Sequence, residues 1–236
     1  MANRPVYVPF PTGKSFVVTY ATEFEWFAGM SKSQKQKSID SLHKVALTRK
    51  NITNPLEISS KSLNPLGVQL SAFNLMIENK DKRISFSVEN AFQAGKVFAN
   101  GGPYLDLLHT TSREAKSDLR LKNSGRLIKF VSNGNDWPLE PMTVFYDWIY
   151  INALCRQKHL AEQLLSFDAF TDIEFNPLKS INCQAYSAAL YVSLVNRNLL
   201  EEALSTPDSF IKMMSESQIN NAYKNQKTDA VNNSIF

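Results

Sequence analysis

The sequence predicts an α+β fold, a mainly helical single domain with a small mixed sheet formed mostly by its N-terminal third. Three observations carry that class. Apolar side chains alternate at Phe16, Val18, Tyr20, Phe24 and Trp26, the period of a strand with one buried face. Residues 142–156 are apolar nearly all round, with Val144, Phe145, Trp148, Ile149, Ile151, Ala153 and Leu154, the mark of a helix buried at the centre of a fold. The 236 residues are 43% hydrophobic and 20% charged, a globular composition at the length of one domain. A chain of this size buries roughly 70% of its unfolded surface without disulfides or metals.

Taken in order, Val6, Tyr7 and Val8 form a short strand that can pair with 16–26 across the break at 9–13. Ser31 opens a helix, with Gln34 three residues on as a capping box and Ile39, Leu42, Val45 and Ala46 at helical spacing. Residues 51–67 hold Asn, Pro, Ser and Gly and read as a loop with a short strand at 56–59. Residues 68–77 read as extended, 79–82 as a turn and 84–86 as the returning strand. A helix is expected over 88–100, stopped by Gly101, Gly102 and Pro103. Ser112 caps a helix to about Leu121, with Gly125 beyond it. Pro141 marks the start of the helix 142–156. Shorter helices follow at 161–167, 185–196 and 200–204. After Asp208 the chain is weakly amphipathic, and its last dozen residues are expected to be loose.

Composition removes several chemistries. His43, His109 and His159 sit in no short ligand motif, and Cys155 and Cys183 are far apart, so no metal site is expected. No G-x-x-x-x-G-K-[ST], G-x-G-x-x-G or G-x-S-x-G occurs, and Gly is scarce at 8 residues. Neither a phosphate-cradling loop nor a hydrolase elbow is indicated, and no cofactor is expected. Few Cys, no apolar run near the roughly 18–20 residues of a membrane span and no apolar N-terminal stretch point to a cytoplasmic protein with no membrane partner.

The net charge of +4 is unevenly placed. Residues 31–50 carry +5 (Lys32, Lys35, Lys37, Lys44, Arg49 and Lys50 against Asp40), and residues 113–129 carry +4 (Arg113, Lys116, Arg120, Lys122, Arg126 and Lys129 against Glu114 and Asp118). Two basic segments on a mildly acidic body suit a polyanion such as nucleic acid, and suit solvated helix faces equally.

The segment Ser87-Val88-Glu89-Asn90-Ala91-Phe92-Gln93-Ala94-Gly95-Lys96 carries the most chemistry. On a continuous helix, Glu89, Gln93 and Lys96 share one face. A carboxylate and an amine in a partly dry pocket can do acid/base work, and a desolvated Lys can attack a sugar aldehyde to form a Schiff base. Taken by itself, such spacing more often belongs to a surface pair without chemistry.

The same segment, S-V-E-x-A-F-Q-A-x-K, resembles the signature of the NADAR (YbiA-like) family, usually S-x-E-H-x-F-Q-A-x-K. Leu70-Ser71-Ala72-Phe73-Asn74 is similar to its F-S-N-F segment, and Arg113-Glu114-Ala115-Lys116 to its P-x-E-A-K run. Trp137 resembles its isolated Trp, Ile151-Asn152-Ala153-Leu154 its M-x-x-A-L, and Leu164-Leu165 with Asp172-Ile173-Glu174 its L-L-x-T-G-x…L-V-E segment. The phrases Glu57 to Ser62, Asn100-Gly101-Gly102-Pro103-Tyr104, Trp137-Pro138-Leu139-Glu140-Pro141, Phe24-Glu25-Trp26-Phe27 and Ser33 to Ser38 look like the branch of antitoxins paired with DarT-type DNA ADP-ribosyltransferases. On that resemblance residues 1–55 are a strand–helix extension, 56–205 the catalytic domain and 206–236 a partly helical tail. Departures are local: Lys179 to Gln184 replaces a D-x-x-W-G-x-G run, Asn90 stands for the usual His, and Ser-Ala-Phe for Ser-Asn-Phe.

The resemblance implies hydrolysis of the N-glycosidic bond between ADP-ribose and guanine in DNA, reversing a DarT-type toxin and releasing ADP-ribose. The substrate would be single-stranded DNA or a flipped-out guanine. Lys96 becomes the candidate nucleophile at C1″ and Glu89 the general acid/base, with a salt bridge between them, or a helix N-terminal carboxylate at Glu89, as the plain alternatives. Trp137 is a candidate to stack on guanine or adenine, or a core Trp. Ser71, Phe73, Asn74 and Gln93 are candidate ligand contacts. Asp172 and Glu174 are candidates for the ribose hydroxyls or for the missing family Asp, and Asn182 and Gln184 for diphosphate or base. Arg113, Lys116, Arg120 and Lys122 are candidates for DNA phosphates. Two other readings stand beside this one: a non-catalytic antitoxin that binds the toxin directly, and an N-glycosidase on a riboflavin-pathway intermediate.

Overall fold

The computed structural model describes residues 1–79, 84–178 and 180–218. Strands β1 (Ala2–Pro9) and β2 (Val17–Phe24) pair antiparallel from Ala2↔Phe24 to Pro9↔Val17. The alternation read at 16–26 hides burial on both faces. Val17 joins the large core, while Phe24 and Tyr20 face a smaller core beneath α1 (Lys32–Ala46). Ser31 caps α1 by accepting from the Gln34 amide at 3.3 Å, but the buried Gln34 Oε1 has no partner among the described residues, so only half the expected capping box forms. Strand β3 (Pro55–Glu57) runs parallel to β9 (Ala169–Thr171), and β9 pairs with β1 at Tyr7↔Phe170. The mixed sheet therefore has the order β2-β1-β9-β3, three of its four strands coming from the N-terminal third.

Helix α2 (Pro65–Gln69) lies where the sequence reads as loop and extended chain. Asn64 accepts from the Leu66 amide, and Pro65 fills the first turn, a start signal that overrides the loop-like composition around it. Strands β4 (Met76–Asn79) and β5 (Ile84–Ser87) form the expected hairpin, and the turn expected between them lies, apart from Asn79, outside the described residues.

The expected helix 88–100 is corrected. Helix α3 (Val88–Ala94) ends at Gly95, and Lys96 opens β6 (Lys96–Phe98). Strand β6 pairs with β7 (Leu127–Ser132), which pairs with β8 (Asn135–Trp137). Ladder bonds to β7 outcompete further helix here. The β7–β8 turn is Asn133-Gly134, both at positive φ (51° and 79°), the residue pair that two-residue hairpins favour.

Thr111, one residue earlier than expected, caps α4 (Ser112–Ser117) in a full capping box with Glu114. The helix breaks at Asp118 before α5 (Arg120–Asn123). Helix α6 (Val144–Arg156) is the buried central helix, starting three residues after Pro141, and packs on α8 (Gln184–Asn196). Helices α7 (Lys158–Leu164), α9 (Leu200–Leu204) and α10 (Pro207–Glu216) complete the shell. Phe210 and Met214 of α10 are buried, so this helix is docked more firmly than its pattern suggests. The expected loose end lies outside the described residues. Among the described residues no helix is long and apolar enough to cross a membrane.

Candidate active site

Helix α3 starts against the body of the fold. Ser87 accepts from the Asn90 amide at 3.1 Å, and the Glu89 amide donates to the Ala72 carbonyl at 2.9 Å. Asn90, at the family's His position, donates from Nδ2 to the carbonyls of Leu107 and Thr110 and accepts from Ser87 and Ser112. Its amide is fully used in pinning the 105–110 segment to α3.

Glu89 and Lys96 are each 5% exposed. They do not share a helix face, since Lys96 is the first residue of β6. The turn at Gly95 instead directs the chain into β6, where it pairs with β7. Glu89 Oε1 accepts from Gln93 Nε2 at 2.8 Å and lies 3.9 Å from Lys116 Nζ. Among the described residues no ion pair joins Lys96 to Glu89. The Lys96 ammonium position lies 4.7 Å from the centre of the Phe92 ring. Burial pulls the Lys96 pKa down to about 8, with Glu89 opposing and Lys116 assisting that fall. Gln93 Oε1 is buried beside this carboxylate, with no hydrogen-bond partner among the described residues.

A second buried group lies behind the first. Asp172 Oδ1 accepts from the amides of Glu174 and Phe175, and Oδ2 accepts from Gln184 Nε2 at 3.0 Å. Gln184 also donates to the Ile58 carbonyl and accepts from the Ala72 amide, both at 2.6 Å. Its amide therefore links Asp172 to the backbone that receives the Glu89 amide. Burial and the neighbouring Glu57 raise the Asp172 pKa to about 8. Glu57, raised by its own burial, accepts from Thr171 Oγ1 at 2.6 Å and the Ile173 amide at 2.8 Å. Tyr146 of α6 lies within electrostatic reach of both Glu89 and Asp172. Burial, then the charge of Glu89, pushes its hydroxyl pKa up, with Asp172 adding to the shift, and its ring meets Phe92 edge-on at 5.2 Å. Neither Tyr146 nor Glu57 was singled out as a site residue by sequence: Tyr146 is submerged in an apolar helix, and Glu57 stands on a three-residue strand within a loop-like stretch.

The remaining candidates divide. Ser71 donates to the Val68 carbonyl and Asn74 Nδ2 to the same oxygen, so both shape the turn after α2. Phe73 is 36% exposed, with Lys116 Nζ 5.1 Å from its ring centre. Trp137 is 1% exposed and packed against Phe145 and Trp148 at 5.7 and 5.1 Å. Its core alternative holds here, because no ring face is open for stacking. Glu174 faces outward and pairs with Lys35 at 3.1 Å, so Asp172 alone of that pair lies inward. Asn182 is half-buried, its carbonyl accepting from Ser180. Arg113 and Lys122 are exposed, whereas Arg120 pairs with Asp106 (2.6 Å) and Asp118 (2.9 Å) and covers the Tyr104 ring. Lys116 belongs to the site rather than to a distant basic face.

Beside the cluster is a cavity of about 510 Å³ lined by Phe73, the β4–β5 hairpin and residues 108–112. No group of His, Cys, Asp and Glu fit to hold a metal occurs among the described residues. A family model described as DarT1-associated NADAR antitoxin matches residues 2–224. No curated protein matches the chain.

Proposed function

Because the chain belongs to the DarT1-associated NADAR antitoxins, we propose that it hydrolyses the N-glycosidic bond joining ADP-ribose to guanine in DNA, reversing the modification made by a DarT-type toxin. The observation that carries the chemistry is a buried lysine with a lowered pKa beside a buried glutamate, in a motif of the family. At pH 7 about a tenth of such an amine is neutral, against far less than a hundredth for an ordinary lysine.

In the proposed reaction Glu89 protonates O4″ as the C1″–O4″ bond breaks, leaving C1″ doubly bonded to the guanine nitrogen, and the neutral Lys96 amine then adds to C1″ and returns a proton to Glu89. The guanine nitrogen leaves with a proton from Glu89, leaving a Schiff base between C1″ and Lys96. Glu89 then takes a proton from water as the water adds, and free ADP-ribose and the lysine amine are restored. Gln93 and Lys116 hold the Glu89 carboxylate, and Lys116 places positive charge where a diphosphate or strand phosphate would lie. Asp172 and Gln184 act as positioning residues for the Ala72–Glu89 backbone rather than as direct ligand contacts.

The second reading is a binder that neutralises its toxin without chemistry. It is favoured by the altered segment ending in Gln184, whose amide is wholly engaged with the protein. One experiment separates the two. Purified protein and Lys96→Ala are incubated with a short single-stranded DNA bearing ADP-ribosyl-guanine, with and without borohydride. Release of ADP-ribose by wild type alone, with a reduced ADP-ribosyl adduct mapped to Lys96, is the expected result. Release by both removes Lys96 as nucleophile, and release by neither leaves the toxin binder.

A further inference from the structure

The cavity next to the cluster has an open aromatic, Phe73, at one side, with Ile84, Ser85 and Phe86 of β5 and His109 around it. Its size lies within the usual range of ligand sites and admits a nucleobase with its sugar. One ammonium ties it to the buried cluster, since Lys116 Nζ is 3.9 Å from Glu89 and 5.1 Å from the Phe73 ring centre. From these observations, and resting on the hydrolase reading, we infer that the cavity seats the nucleotide adjoining the modified guanine, its base stacked on Phe73 and its phosphate toward Lys116.

The lining chemistry favours a stretch of DNA over the adenosine end of ADP-ribose. Among the described residues no carboxylate lines the cavity to receive the paired hydroxyls of a ribose. The hydroxyls of Ser87, Thr110, Thr111 and Ser112 are already bonded within the chain, and the Asn90 amide is saturated. A deoxyribose asks for none of these. Lys116, beside Phe73, supplies a cation suited to a phosphodiester, and Arg113 lies on the same short helix. Stacking on a phenyl ring without edge-reading groups tolerates any base, so the neighbour is held without being identified.

The test uses the full chain and two measurements. The first is the ratio of kcat/KM for a single-stranded adduct with an intact neighbouring base to that for the same strand with an abasic neighbour, on each side in turn. Wild type should prefer the intact base on one side by about tenfold, and Phe73→Ala and Ser85→Trp, the latter filling the cavity, should bring the ratio near one. The second is fluorescence anisotropy of an unmodified oligonucleotide against its abasic counterpart, which reads the cavity without any hydrolysis. Base-dependent binding lost in both variants with no hydrolysis by wild type would sink the hydrolase reading and keep the nucleotide seat. Hydrolysis without preference on either side, or a preference surviving both variants, overturns the seat and leaves the hydrolase reading standing. Weaker binding of free ADP-ribose in Phe73→Ala, with the flank preference intact, would also overturn it and assign the cavity to the adenosine.

Discussion

The role proposed for Lys96 and its contribution to stability oppose one another. Burying its ammonium is unfavourable, and the cost is present whenever both folded and unfolded forms are protonated, below about pH 8. Between about pH 8 and the ordinary lysine value the unfolded chain binds more protons than the native one, so stability from this group rises with pH across that window. Lys96→Met is therefore expected to be more stable than wild type at pH 7, on the order of 2–3 kcal/mol, and to lose the rise between pH 8 and 10. Urea unfolding at the two pH values reads both effects. The same pKa predicts the rate profile. Attack requires the neutral amine, so kcat/KM should climb about tenfold per unit up to roughly pH 8 and then level. A flat profile from pH 6 to 8 would count against Lys96 as the attacking group. Glu89, Gln93 and Lys96 were legible as a candidate cluster from residue types and motif, though not the strand that carries Lys96. Tyr146 was not, because an aromatic inside an apolar helix reads as packing until its neighbours are known.

At the scale of elements, the site depends on a turn that the sequence disguised. The run from Val88 to Asn100 looks helical throughout, yet Gly95 ends the helix and Lys96 enters a sheet. The strands Leu127–Ser132 and Asn135–Trp137 went unread in the sequence, although the Asn133-Gly134 pair between them is the residue pair that two-residue hairpins favour. What no local pattern reveals is that the first of them pairs with Lys96 to Phe98. Three-residue strands such as β6 and β9 are too short to show a period, and their pairing is fixed by partners far away in sequence. Gly102 supports this arrangement. Its φ of +86° suits glycine, and a Cβ there would lie 2.3 Å from the Lys96 carbonyl oxygen. Gly102→Ala should destabilise the protein by about 2 kcal/mol or more, through backbone strain and overpacking together. Because the displaced atom belongs to Lys96, turnover should fall in the fraction that remains folded, as thermal unfolding and an activity assay normalised to folded protein would show. Unchanged turnover in that fraction would mean that β6 can shift without moving the amine.

Across the whole molecule, net charge says less than where its partners are. The sequence shows two basic segments, and the structure neutralises much of the second but only Lys35 of the first. Lys35 faces Glu174, Lys129 faces Asp136, and Arg120 is held between two aspartates. Among the described residues, Arg113, Lys122 and Arg126 are exposed without an ion pair, and Lys116 is shared with Glu89. A strand bound across this side would meet fewer effective cations than the six in the segment. If Arg113 and Lys122 each meet a phosphate of single-stranded DNA, each contributes about 0.7 to the slope of log K against log salt. Arg113→Gln with Lys122→Gln should therefore flatten that slope by about 1.4, weakening binding most at low salt. Arg120→Gln should leave the slope nearly unchanged, because its charge is already balanced by Asp106 and Asp118 in the free protein. Binding titrations of a short single-stranded oligonucleotide from low to physiological salt distinguish the two. Equal flattening by both changes would show that the bridges open on binding, and that total charge rather than unpaired charge governs how this protein meets DNA.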